Sequence, residues 1–113
     1  MKTLDLVLKR KWFEMIASGE KTEEYREIKP YWGKRLIELK DIRDDVIEFK
    51  DFAKVTFHIE FKDFDKVTFH LGYAKDRPSM TFAIKEIVID EGKEEWGALP
   101  GETYFVIKLG ERL

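Results

Sequence analysis

The chain holds 113 residues, room for one domain around one core, since domains commonly hold about 100 to 150 residues. Its 43% hydrophobic and 39% charged residues predict a packed interior under a heavily solvated surface, and its net charge of -2 argues against a protein that grips nucleic acid over its whole face. Zero cysteines exclude disulfides, thiolate metal sites and a cysteine nucleophile. No apolar run approaches the roughly 20 residues of a membrane span, and Met1-Lys2-Thr3-Leu4-Asp5 lacks the apolar region of a signal peptide. The expectation is a single cytoplasmic domain, 1–113, that stays off the membrane.

Leu4, Leu6 and Leu8 alternate with Asp5 and Val7, which predicts an opening strand with one apolar face. Over 10–18 a helix follows, with Trp12, Met15 and Ile16 on one side and Phe13 adjacent; Gly19 stands where a left-handed C-terminal cap belongs. Residues 22–26 read as extended. Pro30 then opens a second helix carrying Tyr31, Arg35, Leu36 and Leu39, and 41–45 is the exit loop. Lys9, Arg10 and Lys11, with Lys29, Lys34 and Arg35, are candidates for a local basic cleft; the plainer reading is solvated helix faces.

Strands are predicted over 46–49, 55–61, 67–71, 80–89 and 104–109. Between the last two, the stretch 91–101 carries Gly92, Gly97, Pro100 and Gly101, so it reads as a loop that brings Trp96 back over the core. Two early helices and five or six strands make the fold class α+β, and closing the sheet into a small β-barrel would remove its edges.

Residues 47–58 read IEFKDFAKVTFH and residues 59–70 read IEFKDFDKVTFH, a tandem duplication that differs only at Ala53 and Asp65. The unit is far too short for a solenoid. Its even length preserves inside and outside along a strand, so either copy suits the same place. The extra copy would add a strand, with turns at Lys50-Asp51 and Lys62-Asp63, or be extruded as a loop; its apolar content favours added strand structure, covered by a partner chain in a homodimer. Two registers twelve residues apart would give two sets of amide signals. Such a duplication also fits an engineered protein made to study folding or conformational switching.

The stretch from Lys21 to Lys29 is charged on both faces, which is unusual for a strand in a small core. Glu24 and Arg26, two apart on an extended chain, point the same way, and Lys21 after the Gly19 turn reaches the same region. Together they offer a cation, a carboxylate and a planar guanidinium for carbonyl or phosphate recognition. The alternative is an exposed, salt-bridged edge strand. Tyr25, Tyr31, Trp32 and Trp96 are candidates for stacking on a base, Trp32 and Trp96 foremost, against a role in core packing. His58 and His70 are copies of one residue with no accompanying carboxylate-histidine spacing, which argues against zinc. No metal or cofactor is expected.

Gly19, Lys21, Glu24 and Arg26 match the pattern G-x-K-x-x-E-x-R, placed between a first helix and the following strands. In this the chain resembles the ASCH domains of the PUA-like superfamily, and the closing Tyr104-Phe105-Val106-Ile107-Lys108-Leu109-Gly110 strand extends the resemblance over most of its length. The resemblance implies a small PUA-like β-barrel with two flanking N-terminal helices, whose motif lines a cleft for RNA or a modified nucleoside; Gly19, Lys21, Glu24, Arg26, Trp32 and Trp96 are then the ligand-binding candidates. Some small members resemble amidohydrolases acting on N(4)-acylated cytidine, in which the motif lysine activates a threonine three residues on, assisted by a distant glutamate. Here that position is Glu24, and Thr22 lies beside the lysine. An amidohydrolase or ribonuclease reading would make Lys21 and Glu24 catalytic, Glu24 as general base and Lys21 as oxyanion partner, with Glu86, Glu91 or Glu102 assisting.

Overall fold

The computed structural model describes residues 2–37 and 61–113. Its elements run β1 (Lys2–Leu8), α1 (Arg10–Ala17), β2 (Glu23–Glu27), α2 (Pro30–Leu36), β3 (Phe64–Leu71), β4 (Ser79–Glu91), a single 3-10 turn (Glu94–Trp96) and β5 (Thr103–Arg112). The expected strand at 46–49, most of that at 55–61, Leu39, His58, the exit loop and the first repeat copy fall outside the described residues.

Among the described residues, one sheet of five strands has the order β1-β3-β4-β5-β2. β1 and β3 pair in parallel and every other pair is antiparallel. The long β4 pairs first with β3 and then with β5, and its register against β5 shifts between Phe82 and Ile84 and again between Ile84 and Glu86. Such irregularities bend a strand and increase its twist, and the sheet curls. The result over the described residues is a small α+β fold with a curled half-barrel, the barrel-like sheet expected, with two helices.

The ends of this half-barrel, β1 and β2, approach each other without pairing. Two arginines satisfy carbonyls of β1 instead: Arg26 of β2 donates to the Val7 carbonyl at 3.2 Å, and Arg35 of α2 donates to the Asp5 carbonyl at 3.1 Å. Side chains thus protect an open strand edge that would otherwise invite another chain.

Leu4, Leu6 and Leu8 of β1, Val67 and Phe69 of β3, and Phe105, Ile107 and Leu109 of β5 are buried in the main core, with Ile16 of α1 and Leu36 of α2 among them. The intervening Tyr104 and Val106 are also buried, in a second cluster with Ala98 and half-buried Tyr25. β5 is therefore covered on both faces, and its apolar run has no solvent side to alternate with.

The second repeat copy supplies β3, with Val67 and Phe69 pointing inward as the alternation requires. Register against β1 slips between Lys2 and Thr3, which face Phe64 and Lys66, so Asp65 is the extra residue of a bulge. Its Oδ1 is buried without a hydrogen-bond partner. Asp65 is also where the two copies differ. Because an orphaned buried acceptor costs about 1–3 kcal/mol, Asp65→Ala should stabilise the protein by about 1 kcal/mol in chemical denaturation; an unchanged or lowered midpoint would show that this oxygen carries no penalty.

Candidate functional site

α1 ends in a turn that sets the direction of the motif. Gly19 adopts φ +85°, its N–H donates to the Ile16 carbonyl at 3.1 Å, and the Ser18 hydroxyl and the Lys21 N–H both donate to the Met15 carbonyl at 3.0 Å. A Cβ at Gly19 would meet nothing within 4 Å, so backbone conformation is what calls for glycine here. Gly19 itself is exposed and lies outside the cleft that Lys21 lines. Its contribution is to turn the chain so that Lys21 points inward.

β2 follows as an edge strand on β5. Glu24 faces Ile107 and Arg26 faces Phe105 across the pair, so both side chains lie on the sheet face that carries the main core. Lys21 and Glu24 are only 2% and 5% exposed. Lys21 Nζ donates to Glu24 Oε1 at 2.9 Å, and Arg26 Nη2 donates to Glu24 Oε2 at 2.6 Å. Each cation also faces an indole: Lys21 Nζ lies 4.4 Å from the Trp12 ring centroid, and Arg26 Cζ lies 4.8 Å from that of Trp32. Arg26 Nε is buried without an acceptor. Two cations around one carboxylate leave an excess positive charge where water is scarce and electrostatic interactions are strong.

The triad lies along a cleft of about 550 Å³ at the seam between the two ends of the sheet. Val7, Leu8 and Lys9 form one side; Trp12 and Trp32 come from the two helices; Trp96, Gly97, Leu99, Glu102 and Tyr104 complete it from the loop before β5 and the start of that strand. Lys21, Glu24, Arg26, Trp32 and Trp96 therefore all line this one cleft. Trp12 and Leu99 were not foreseen there. The period of α1 marks Trp12 only as apolar, and the same period serves a core residue or a cleft wall; Leu99, 61% exposed, carries no sequence signal at all.

The loop is pinned to β2 by Tyr25, which also lines the cleft, its ring centroid 5.8 Å from Lys21 Nζ. Its hydroxyl donates to Glu23 at 2.8 Å and accepts the Lys93 N–H at 3.0 Å, and its ring packs on Tyr104 with centroids 5.8 Å apart. Burial pushes ionisation of this hydroxyl well above the ordinary tyrosine range, with Glu23 adding to the shift, so it remains a donor. Gly92 permits the approach, because a Cβ there would sit 2.8 Å from Tyr25 Cζ and 2.7 Å from Ala98 Cβ.

Of the six basic candidates, Lys9 lines the cleft, while Arg10 pairs with Glu14 at 3.5 Å and Lys29 with Glu27 at 2.8 Å on the surface. Of the three distant glutamates, Glu102 lines the cleft; Glu86 pairs with Lys108 at 3.2 Å, and Glu91 ends β4 in an exposed position. Thr22 is exposed and outside the cleft, its carbonyl accepting the Leu109 N–H at 3.0 Å. His70 Nε2 lies 2.9 Å from Asp5 Oδ1 on the β1/β3 pair. Among the described residues no three His, Asp or Glu side chains gather as a metal site requires, and no helix is long and apolar enough to cross a membrane. Comparison with protein-family models, with curated proteins and with solved structures gives no match.

Proposed function

We propose that the cleft recognises a nucleobase, in RNA or as a modified nucleoside, with Lys21, Glu24 and Arg26 acting as the ASCH resemblance implies. The observation that carries this reading is the triad itself: two cations surround the one carboxylate of Glu24, so the site has N–H donors to spare on Lys21 and Arg26. A planar heterocycle with carbonyl acceptors matches such donors, and its faces match the indoles of Trp12, Trp32 and Trp96 that line the same cleft.

Hydrolysis of an acylated cytidine or of RNA is the weaker reading. A proton taken up by Glu24 would weaken its contacts to both Lys21 and Arg26, and Thr22 stands outside the cleft. A hydrolase would have to draw on Glu102 instead.

Tryptophan fluorescence during titration with a panel of nucleosides and short RNAs is the test. At least one should perturb the spectrum, and Lys21→Met, shown folded by circular dichroism, should bind it at least tenfold more weakly, since a hydrogen bond to a charged group contributes about 1.5–3 kcal/mol. A silent panel, or a Lys21→Met protein that binds as tightly as the parent, would overturn the reading. Acetate release from N(4)-acetylcytidine, followed in parallel, would restore the hydrolase.

A further inference from the structure

Outside the cleft, one aromatic side chain continues its wall toward solvent. Tyr31 is 62% exposed and meets Trp32 edge-on, with ring centroids 4.8 Å apart and planes at 87°. The Arg35 guanidinium lies 5.7 Å from the Tyr31 centroid and 5.1 Å from that of Trp32. Arg26, on the triad side, lies 4.8 Å from the Trp32 centroid. Cations and rings therefore alternate from the buried triad outward: Arg26, Trp32, Arg35, Tyr31.

Local structure holds this series in place. Pro30 starts α2, Gly33 N–H donates to the Lys29 carbonyl at 2.9 Å, and Leu36 anchors the helix in the core. One of the five guanidinium N–H donors of Arg35 is spent on the Asp5 carbonyl at 3.1 Å. That bond holds the cation beside both rings. A tyrosine needed only for packing would be covered, whereas the ring of Tyr31 is left open to solvent.

We infer that Tyr31 and Arg35 form a second subsite, for the neighbouring nucleotide of single-stranded RNA. The base next to the one in the cleft stacks on Tyr31, and the phosphate joining the two nucleotides meets Arg35, which lies near both rings. A footprint of two nucleotides needs only a few cations, which suits a chain of net charge -2. The inference rests on the nucleobase reading of the cleft and narrows it from a free nucleoside to a strand.

The test compares a ribonucleoside with the matching ribodinucleoside monophosphate by fluorescence titration. The dinucleotide should bind about tenfold tighter, as expected for one added stacked base. Tyr31→Ala should lower the dinucleotide to the affinity of the nucleoside 3′-phosphate, and Tyr31→Phe should keep the full gain. A nucleoside 3′-phosphate, which lacks the second base, should show only the salt-sensitive part of the gain. A nucleoside that binds while the dinucleotide gains nothing over it, or a gain that Tyr31→Ala leaves undiminished, overturns this subsite and leaves the cleft reading intact, the free nucleoside then being the whole ligand. If the wild-type protein binds neither, the cleft reading fails and the subsite with it.

Discussion

Replacing Glu24 by glutamine is expected to destabilise the protein by about 3–5 kcal/mol, the range for removing one partner of a buried ion pair. The wild-type cluster holds two cations and one carboxylate, with Lys21 2% exposed and Glu24 5% exposed. Glutamine preserves the shape, yet it leaves two like charges facing each other without the anion between them. Lys21→Met should cost distinctly less, because Glu24 and Arg26 then remain as a balanced pair at 2.6 Å. The ordering is therefore the decisive quantity in urea denaturation of the two variants. If Lys21→Met proves the more damaging, the carboxylate is not what holds the cluster together, and charge balance does not govern its stability.

Gly97→Ala is the second large effect, expected at about 2–4 kcal/mol from two separate causes. At φ +105° and ψ 0° the residue lies where a side chain strains the backbone. In addition, the new Cβ would lie 3.0 Å from Trp12 Cζ2 and push on the ring that covers Lys21. The two causes separate in a double-mutant cycle: in a Trp12→Leu background the steric part should vanish while the backbone strain of about 1–3 kcal/mol persists. A Gly97→Ala protein within about 0.5 kcal/mol of the parent would refute both roles assigned to this glycine, and a cost unchanged by Trp12→Leu would refute the steric one.

Both predictions concern residues whose sequence signals differ in kind. Glu24 stood out because a strand charged on both faces fits poorly in a small core. Its period of two already placed it beside Arg26, and the structure adds that both point to the core face, opposite Ile107 and Phe105. Gly97 was legible as part of a glycine-rich loop that returns Trp96, but its contact with Trp12 was not, since the two belong to elements far apart in the chain. Likewise, the reading of β2 as either a cleft wall or a salt-bridged edge strand posed a false choice. It is an edge strand, pairing only with β5 in the described sheet, and its ion pairs are largely buried.

The amino-acid sequence by itself determined what local chemistry controls. The alternation of Leu4, Leu6 and Leu8 specified β1, Gly19 stopped α1 in a left-handed turn, Pro30 opened α2, and the apolar run near the C-terminus specified β5. Each depends on dihedral preferences or on a period within a few residues, and so is visible in a short window. Only the tertiary structure decided how far the sheet of the described residues curls, that Arg26 and Arg35 bridge the seam between its β1 and β2 ends, and that the bulge of β3 falls on Asp65, the residue separating the two repeat copies. The reason is physical: these outcomes depend on where curvature brings distant strands together, and side-chain pattern fixes which face of a strand is apolar without fixing how far the sheet will curl.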